Sequence, residues 1–380
     1  MTSSVQTHAT ASTRAGKKSI PLGEGAELVV YQRASALPAE WDAVCAATPF
    51  LQRSWLKAFE ASGGPDTEYL TWRQGEQLVA CSQLQALPVR SMKLGANLRP
   101  SLAAIVFGPT LYQFGQALFS GPGGHACLPS FELHALLADA QSALAATRSS
   151  STWLLKDLPE PPQPNAWLPI DALPEMGMNL RSHWDTFEDY LLDLPSKYRR
   201  RARRARKKFH PLECRLLTRV EIEEYSACMD RLYARLIERS LYVPYIVPPG
   251  YIAQLHAAEP ERTKVLGYFD GDNMVGFATL LVAGRLGIAH YAAIDPSYNA
   301  SHQLYLNLLF DLLAAAIEAK LSKVNFGRTA TTIKSSLGAE PIEQYAFAKH
   351  DGCLRHQLLA TVRERIVGDE ANAQIQRPLG

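Results

Sequence analysis

Two stretches of the chain carry the same order of apolar and polar positions. "TEYLTWRQGEQLVACSQLQAL" from Thr67 and "TKVLGYFDGDNMVGFATLLVA" from Thr263 each read as an apolar strand, a polar turn holding a glycine, and a second apolar strand. At an offset of 196 residues Thr67 meets Thr263, Leu70 meets Leu266, Gly75 meets Gly271, Val79 meets Val275 and Leu84 meets Leu280. Trp72 and Tyr268 match in kind, as do Glu76 and Asp272. A second pairing follows at an offset of 171: "SFELHALLADAQSALAATRSSSTWLLKD" from Ser130 against "SHQLYLNLLFDLLAAAIEAKLSKVNFGR" from Ser301, each a long helix running into a short buried strand. Two matches in the same order predict an internal duplication, with 25 extra residues in the first copy within 88–129.

The second copy then reads as helices near 219–238 and 249–257, strands near 264–269, 274–282 and 287–294, a helix over 301–320, a strand at 323–326 and a final strand pair around 345–349. That order predicts a mixed α/β architecture, a mixed sheet with helices on both faces in each copy. At 380 residues the chain exceeds the size at which one core keeps growing, so two domains are expected, 26–180 and 181–365. Residues 1–25 are rich in Ser and Thr without the apolar centre of a signal peptide and read as a disordered tail; 366–380 read as a flexible one. The six cysteines are scattered, which argues against structural zinc and a disulfide framework and for a reducing, cytoplasmic setting. No metal site is expected. The longest apolar run, "LYLNLLFDLLAAAIEA", contains Asp311 and Glu318 and reads as a buried amphipathic helix, with no transmembrane segment predicted.

Charge changes the picture at one place. The net charge is only +2, yet "SKYRRRARRARKKF", residues 196–209, holds nine basic side chains between Lys197 and Lys208. A protein that coats DNA is usually basic throughout; here the charge is local. Tyr198, Ala202, Ala205 and Phe209 recur at helical spacing, so the segment is expected to be a docked helix, with Ser196 as its N-cap. Its polar arc faces either an anionic ligand or the acids Asp185, Glu188, Asp189 and Asp193 just before it.

The strand order, "YAAIDPSYN" after the third strand, and above all "NFGRTATTIKSSLGA" from Asn325 to Ala339 resemble the Fem-like GNAT-fold acyltransferases, the group that includes bacterial peptidoglycan biosynthesis/recognition proteins. The resemblance is good over 184–352 and looser over 28–158. It implies two tandem GNAT-like domains, the second opened by a basic helix. It also implies N-acyl or aminoacyl transfer from an activated carrier to an amine, on a small molecule, a glycan or a cell-envelope precursor. The carrier is acetyl-CoA or another acyl-CoA, with aminoacyl-tRNA and an acyl carrier protein as alternatives. Against this stands a second reading, an inactive GNAT-fold protein that binds RNA or anionic polysaccharide through the basic helix.

Such transfer needs a grip on the carrier, a donor for the developing oxyanion and a way to remove the amine's proton. The expected carrier loop, "DPSYNASHQ" over 295–303, lacks the glycine that usually brings backbone N–H groups to a pyrophosphate. Its candidate contacts are Asn299, Ser301 and His302. Arg199, Arg200, Arg203 and Arg204 on the basic helix are the candidates to supply the missing anion contacts, along with Arg328 at the strand end. The catalytic candidates are Lys334, read as a surface lysine; Tyr305, a donor for a leaving thiolate; and His290 and Tyr291. Strict alternation puts His290 with Ile288, Ala292 and Ile294 on an apolar face and Tyr291 on the other. "GPGGHA" from Gly121 reads as a loop, and no G-x-S-x-G, H-E-x-x-H or Walker A pattern appears.

Overall fold

The structure, a computed structural model, describes residues 12–14, 17–23, 25–94, 100–119, 121, 124–148, 151–160, 167–170, 174–240, 242–362 and 375–379. Two mixed sheets share one plan. In the second, the strands lie in the order Glu213–Leu216, Thr263–Asp270, Asn273–Ala283, Leu286–Ile294, Lys323–Asn325, Glu175–Asn179 and Glu340–Ile342. Every pairing there is antiparallel except the fourth with the fifth. The first sheet repeats this as Ala26–Tyr31, Asp66–Gln74, Gln77–Pro88, Thr110–Phe114, Thr152–Leu158, Tyr345–His350 and Leu168–Ile170, again parallel only between the fourth and fifth.

The hairpins matched by sequence occupy the same two places, down to register. Thr67 faces Gln85 as Thr263 faces Leu281, and a bulge after Trp72 recurs after Tyr268. Gly75 and Gly271 turn these hairpins at φ of 58° and 56°, left-handed backbone that glycine adopts at little cost.

The sixth place in each sheet is exchanged: Glu175–Asn179 leaves the first half of the chain to join the second sheet, and Tyr345–His350 returns to complete the first. A division at residue 180 therefore leaves each sheet one strand short. Both strands are short antiparallel additions of the same kind, so local pattern carries nothing that assigns either to one sheet.

Two further differences from the sequence reading concern the tails. Lys17–Gly23 is a strand beside Ala26–Tyr31, with Ile20 and Leu22 packed on the first core. Of the final segment, 366–374 lie outside the described residues, but 375–379 are docked: the Gln376 N–H donates to Ser335 Oγ at 3.0 Å and Arg181 to the Leu379 carbonyl at 2.8 Å.

The extra length of the first copy falls in two insertions. Residues 89–109 are inserted between Pro88 and Thr110, which occupy the places of Gly284 and Arg285 in the tight turn of the second copy. Residues 115–124 replace His290 and Tyr291, because Leu84 and Ser82 face Phe114 and His125 where Leu280 and Ala278 face Ala289 and Ala292.

The predicted helix 301–320 is two helices, Ser297–His302 and Leu304–Glu318, broken at Gln303 with φ 50°. Buried Asn307 seals the break, its side-chain NH2 donating to the carbonyls of His302, Gln303 and, across the interface, Ala205. Helix Ser196–Phe209 docks there with Ala202, Ala205 and Phe209 buried; Pro195, not Ser196, takes the cap position. Leu304–Glu318 is largely buried, and among the described residues no helix is long and apolar enough to cross a membrane.

Candidate functional site

Leu286–Ile294 pairs with Lys323–Asn325 only as far as Ile288 and Asn325, after which the two parallel strands part. The edge from Ala289 to Ile294 has no strand partner on that side among the described residues. At the mouth of this fork a bulge sets His290 and Tyr291 opposite the single residue Thr279, whose Oγ accepts the Tyr291 N–H at 2.8 Å and donates to the Tyr291 carbonyl at 2.9 Å. The extra residue breaks the alternation read from sequence. Ile288, Tyr291 and Ala293 pack on the core under helices Arg219–Arg239 and Tyr251–Ala258, while Ala289, Ala292 and Ile294 pack on the opposite core. His290 joins Tyr291, not Ala292 and Ile294: its ring lies 5.7 Å from Tyr251 and 5.9 Å from Phe119.

His290 Nε2 lies 3.0 Å from the Tyr251 hydroxyl and its Nδ1 has no hydrogen-bond partner. Burial pushes the imidazole down to about 3, so it is neutral at physiological pH. The phenols of Tyr251 and Tyr291 are pushed well up, first by burial and then by neighbouring tyrosines. Phe119 reaches this cluster from the first sheet's loop 115–124, which Lys156 holds through the carbonyls of Gln116 and Phe119 at 3.0 and 3.1 Å. Tyr242 keeps 48% of its surface, yet burial raises its hydroxyl, which also feels Arg328 and Asp157. Half-exposed, the ring borders a recess at the junction of the two sheets, near Arg328 and Asp157.

The floor of that recess is ionic. Arg328 pairs with Asp157, donates to Gln344 Oε1 at 3.1 Å and lies 3.8 Å from Glu175. Asp157 also pairs with Lys156. Asn325 donates to Glu175 at 2.8 Å and accepts the Gly327 N–H at 2.8 Å. Burial, then Asp157, raises Glu175 to about 7, against the opposing pull of Arg328, Lys156 and Asn325. Gly121 of the first sheet's loop presses on this pair so closely that a Cβ there would stand 2.2 Å from Asn325 Nδ2.

The remaining candidates are dispersed. Lys334 is 4% exposed, not superficial; its ammonium donates to the Gly327 carbonyl at 3.3 Å, beside the fork. Tyr305 packs on the core opposite to His290, its N–H donating to Asn299 Oδ1 at 3.1 Å. Ser301 Oγ and His302 Nδ1 lie 2.8 Å apart on the surface. Asp295 accepts the N–H and hydroxyl of Ser297 at 3.0 and 2.6 Å, which holds its carboxyl down and sets a carboxylate at the start of the expected carrier loop. Arg199 donates to the Leu194 carbonyl at 3.1 Å and Arg203 pairs with Glu188 at 2.6 Å, whereas Arg200 and Arg204 open onto a separate hollow.

Sequence reasoning missed Glu175, Tyr251, Phe119 and Thr279, which come from distant segments. For Asp157 a signal was present: the 171-residue offset already aligns it with Arg328.

Residues 196–335 match the family model described as "Acetyltransferase (GNAT) domain". N-myristoyltransferase of Saccharomyces cerevisiae, solved with bound myristoyl-CoA, superposes with a TM-score of 0.54 at 12% identity, over 88% of this chain and 84% of that one. FemX superposes at 0.49 and 12% identity, over 85% and 98% of the two chains. A tandem GNAT protein from the clavulanic acid biosynthesis pathway gives 0.49 and 13%, over 86% and 99%. No curated protein matches the sequence. The chain has the GNAT fold, and the family match lies within its second half, over residues 196–335.

Proposed function

We propose that the chain transfers an acyl group from an activated carrier, acyl-CoA in the first instance, to an amine at the fork of the second sheet. The observation that carries this reading is the unpartnered edge from Ala289 to Ile294, inside the matched domain and beginning at a bulge. An extended carrier arm can add to such an edge as a further strand, and backbone N–H groups there can hold the developing oxyanion. The carrier approaches from the Tyr305 and Lys334 side, the amine from the recess of Tyr251, His290 and Tyr242. The amine, entering uncharged, donates an N–H to the neutral His290 Nδ1, which Tyr251 orients; as its nitrogen bonds to the acyl carbon and the carbon–sulfur bond breaks, its surplus proton leaves to water and the thiolate takes a proton from Tyr305. A small-molecule or glycan amine, such as a cell-envelope precursor, fits a cytoplasmic enzyme of this kind.

Thermal denaturation with CoA, acetyl-CoA and longer acyl-CoAs tests the first step. A carrier at about 100 times its Kd adds roughly 2.7 kcal/mol of stability. Thiol release with a panel of amines tests the second, where His290→Ala is expected to lower turnover by about 10²-fold or more with carrier affinity retained. Failure of every acyl-CoA to bind overturns the CoA assignment and favours an inactive binding protein.

A further inference from the structure

Four cations of the basic helix, Lys197, Arg200, Arg201 and Arg204, line one hollow of about 390 Å³, with Tyr198 and Gln376 completing its wall. We infer that this hollow is a binding site for a linked pair of phosphates. Its lining contains no carboxylate, and among the described residues none of the four cations has an ion-pair partner. The acids just before the helix are committed elsewhere. Glu188 holds Arg203; Asp193 holds Arg181 and the ring N–H of Trp184; Asp189 caps the helix Phe187–Asp193; Asp185 pairs with Lys320. The run is therefore not a general clamp onto those four acids.

The helix cannot disperse this charge by moving. Ala202, Ala205 and Phe209 are buried, Asn307 bonds the Ala205 carbonyl at 3.1 Å, and Arg206 pairs with Asp311 at 2.6 Å while lying over Phe187 and Phe310. Like charges fixed around one concavity repel until an anion enters it. The far wall is equally placed: Gln376 is tied to Ser335, the neighbour of Lys334.

Geometry selects the anion. From Lys197 to Arg204 the helix advances roughly 10 Å at about 1.5 Å per residue. That suits two linked phosphates held by guanidinium forks and falls well short of a duplex turn. The volume lies at the lower end of the roughly 300–1,000 Å³ usual for small-ligand sites. Its lining shares no residue with the strand fork, and binding there does not depend on acyl transfer. The diphosphate can belong to a nucleotide carrier such as CoA or to a diphosphate-linked sugar.

Calorimetric titration with inorganic pyrophosphate, against orthophosphate, tests it. Pyrophosphate is expected to bind at least tenfold tighter. Arg200→Gln with Arg204→Gln should weaken it tenfold or more and flatten its salt dependence, while Lys207→Gln with Lys208→Gln, the same charge loss on the same helix outside the hollow, should leave it within twofold. Thermal melts of both pairs check that each is folded. Displacement of pyrophosphate by CoA identifies the carrier as the source, and displacement by a uridine diphosphate sugar identifies the acceptor. Equal affinity for the two inorganic anions, or equal weakening by the two variant pairs, overturns the site.

Discussion

The same place in the two sheets is built in opposite ways. Opposite Thr279 the second sheet has a two-residue bulge and then an open fork; opposite Gln83, its equivalent, the first sheet sends out residues 115–124. Gln83 holds both ends of that loop, its N–H donating to the Gly124 carbonyl and its carbonyl accepting the Gly115 N–H, each at 3.0 Å. The loop then crosses to the second sheet, bringing Phe119 to His290 and Gly121 to Asn325. One copy of a duplicated frame keeps its edge open, and the other has turned the corresponding place into a wall of its neighbour's recess. That difference is what supports proposing the second sheet, rather than the first, as the place of transfer.

The comparison would break most visibly if the two sheets proved independent. Residues 26–180 expressed alone lack Tyr345–His350 and leave Trp153 and Gln141 without Asp351, to which they donate at 2.8 and 2.9 Å. This fragment is expected to show no cooperative melt by circular dichroism, and to regain one when 181–380 is supplied in trans.

A smaller effect sharpens the same point at the join, where the equivalent residues Asp157 and Arg328 carry opposite charges and pair across it. Arg328→Met leaves the buried Asp157 carboxylate with Lys156 as its remaining ion-pair partner and should cost about 2–3 kcal/mol in urea denaturation. A loss below about 1 kcal/mol would place the pair in solvent and weaken the case for a rigid recess.

The smallest effect is a pH dependence. Glu175 rises from its ordinary 4.5 to about 7 in the folded protein. Between those values the folded state binds the proton more tightly than the unfolded chain, so stability falls as pH rises through that window. The fall should be on the order of 1–3 kcal/mol, and Glu175→Gln, which cannot ionise, should lack it. Urea midpoints across pH 4–8 for both proteins decide it; parallel curves would mean that Glu175 stays ionised throughout.

Much of the second sheet was legible in advance because its signals are local. Helix Arg219–Arg239 begins at Thr218, which forms a capping box with Glu221, and the docked face of the basic helix follows from spacing alone. The tertiary structure changed what those elements mean for the site. Lys334 is a polar residue in a short helix, and only the packing of Thr331–Ser335 against the strand end buries it. Arg199, Arg200, Arg203 and Arg204 are chemically alike in sequence, and only the placement of Leu194, Glu188 and the docked Gln376 separates the engaged pair from the open one.

The sequence by itself determined the duplicated hairpin and its glycine turn, and the charge and docked face of the basic helix. Each depends on side-chain period and backbone sterics within one segment. Only the tertiary structure decided the exchange of Glu175–Asn179 with Tyr345–His350, the side on which His290 points, and the seat of loop 115–124 on Asn325. Strand partnership and bulge placement are settled by competition between whole sheets, and residues far apart in the chain meet only when that competition ends.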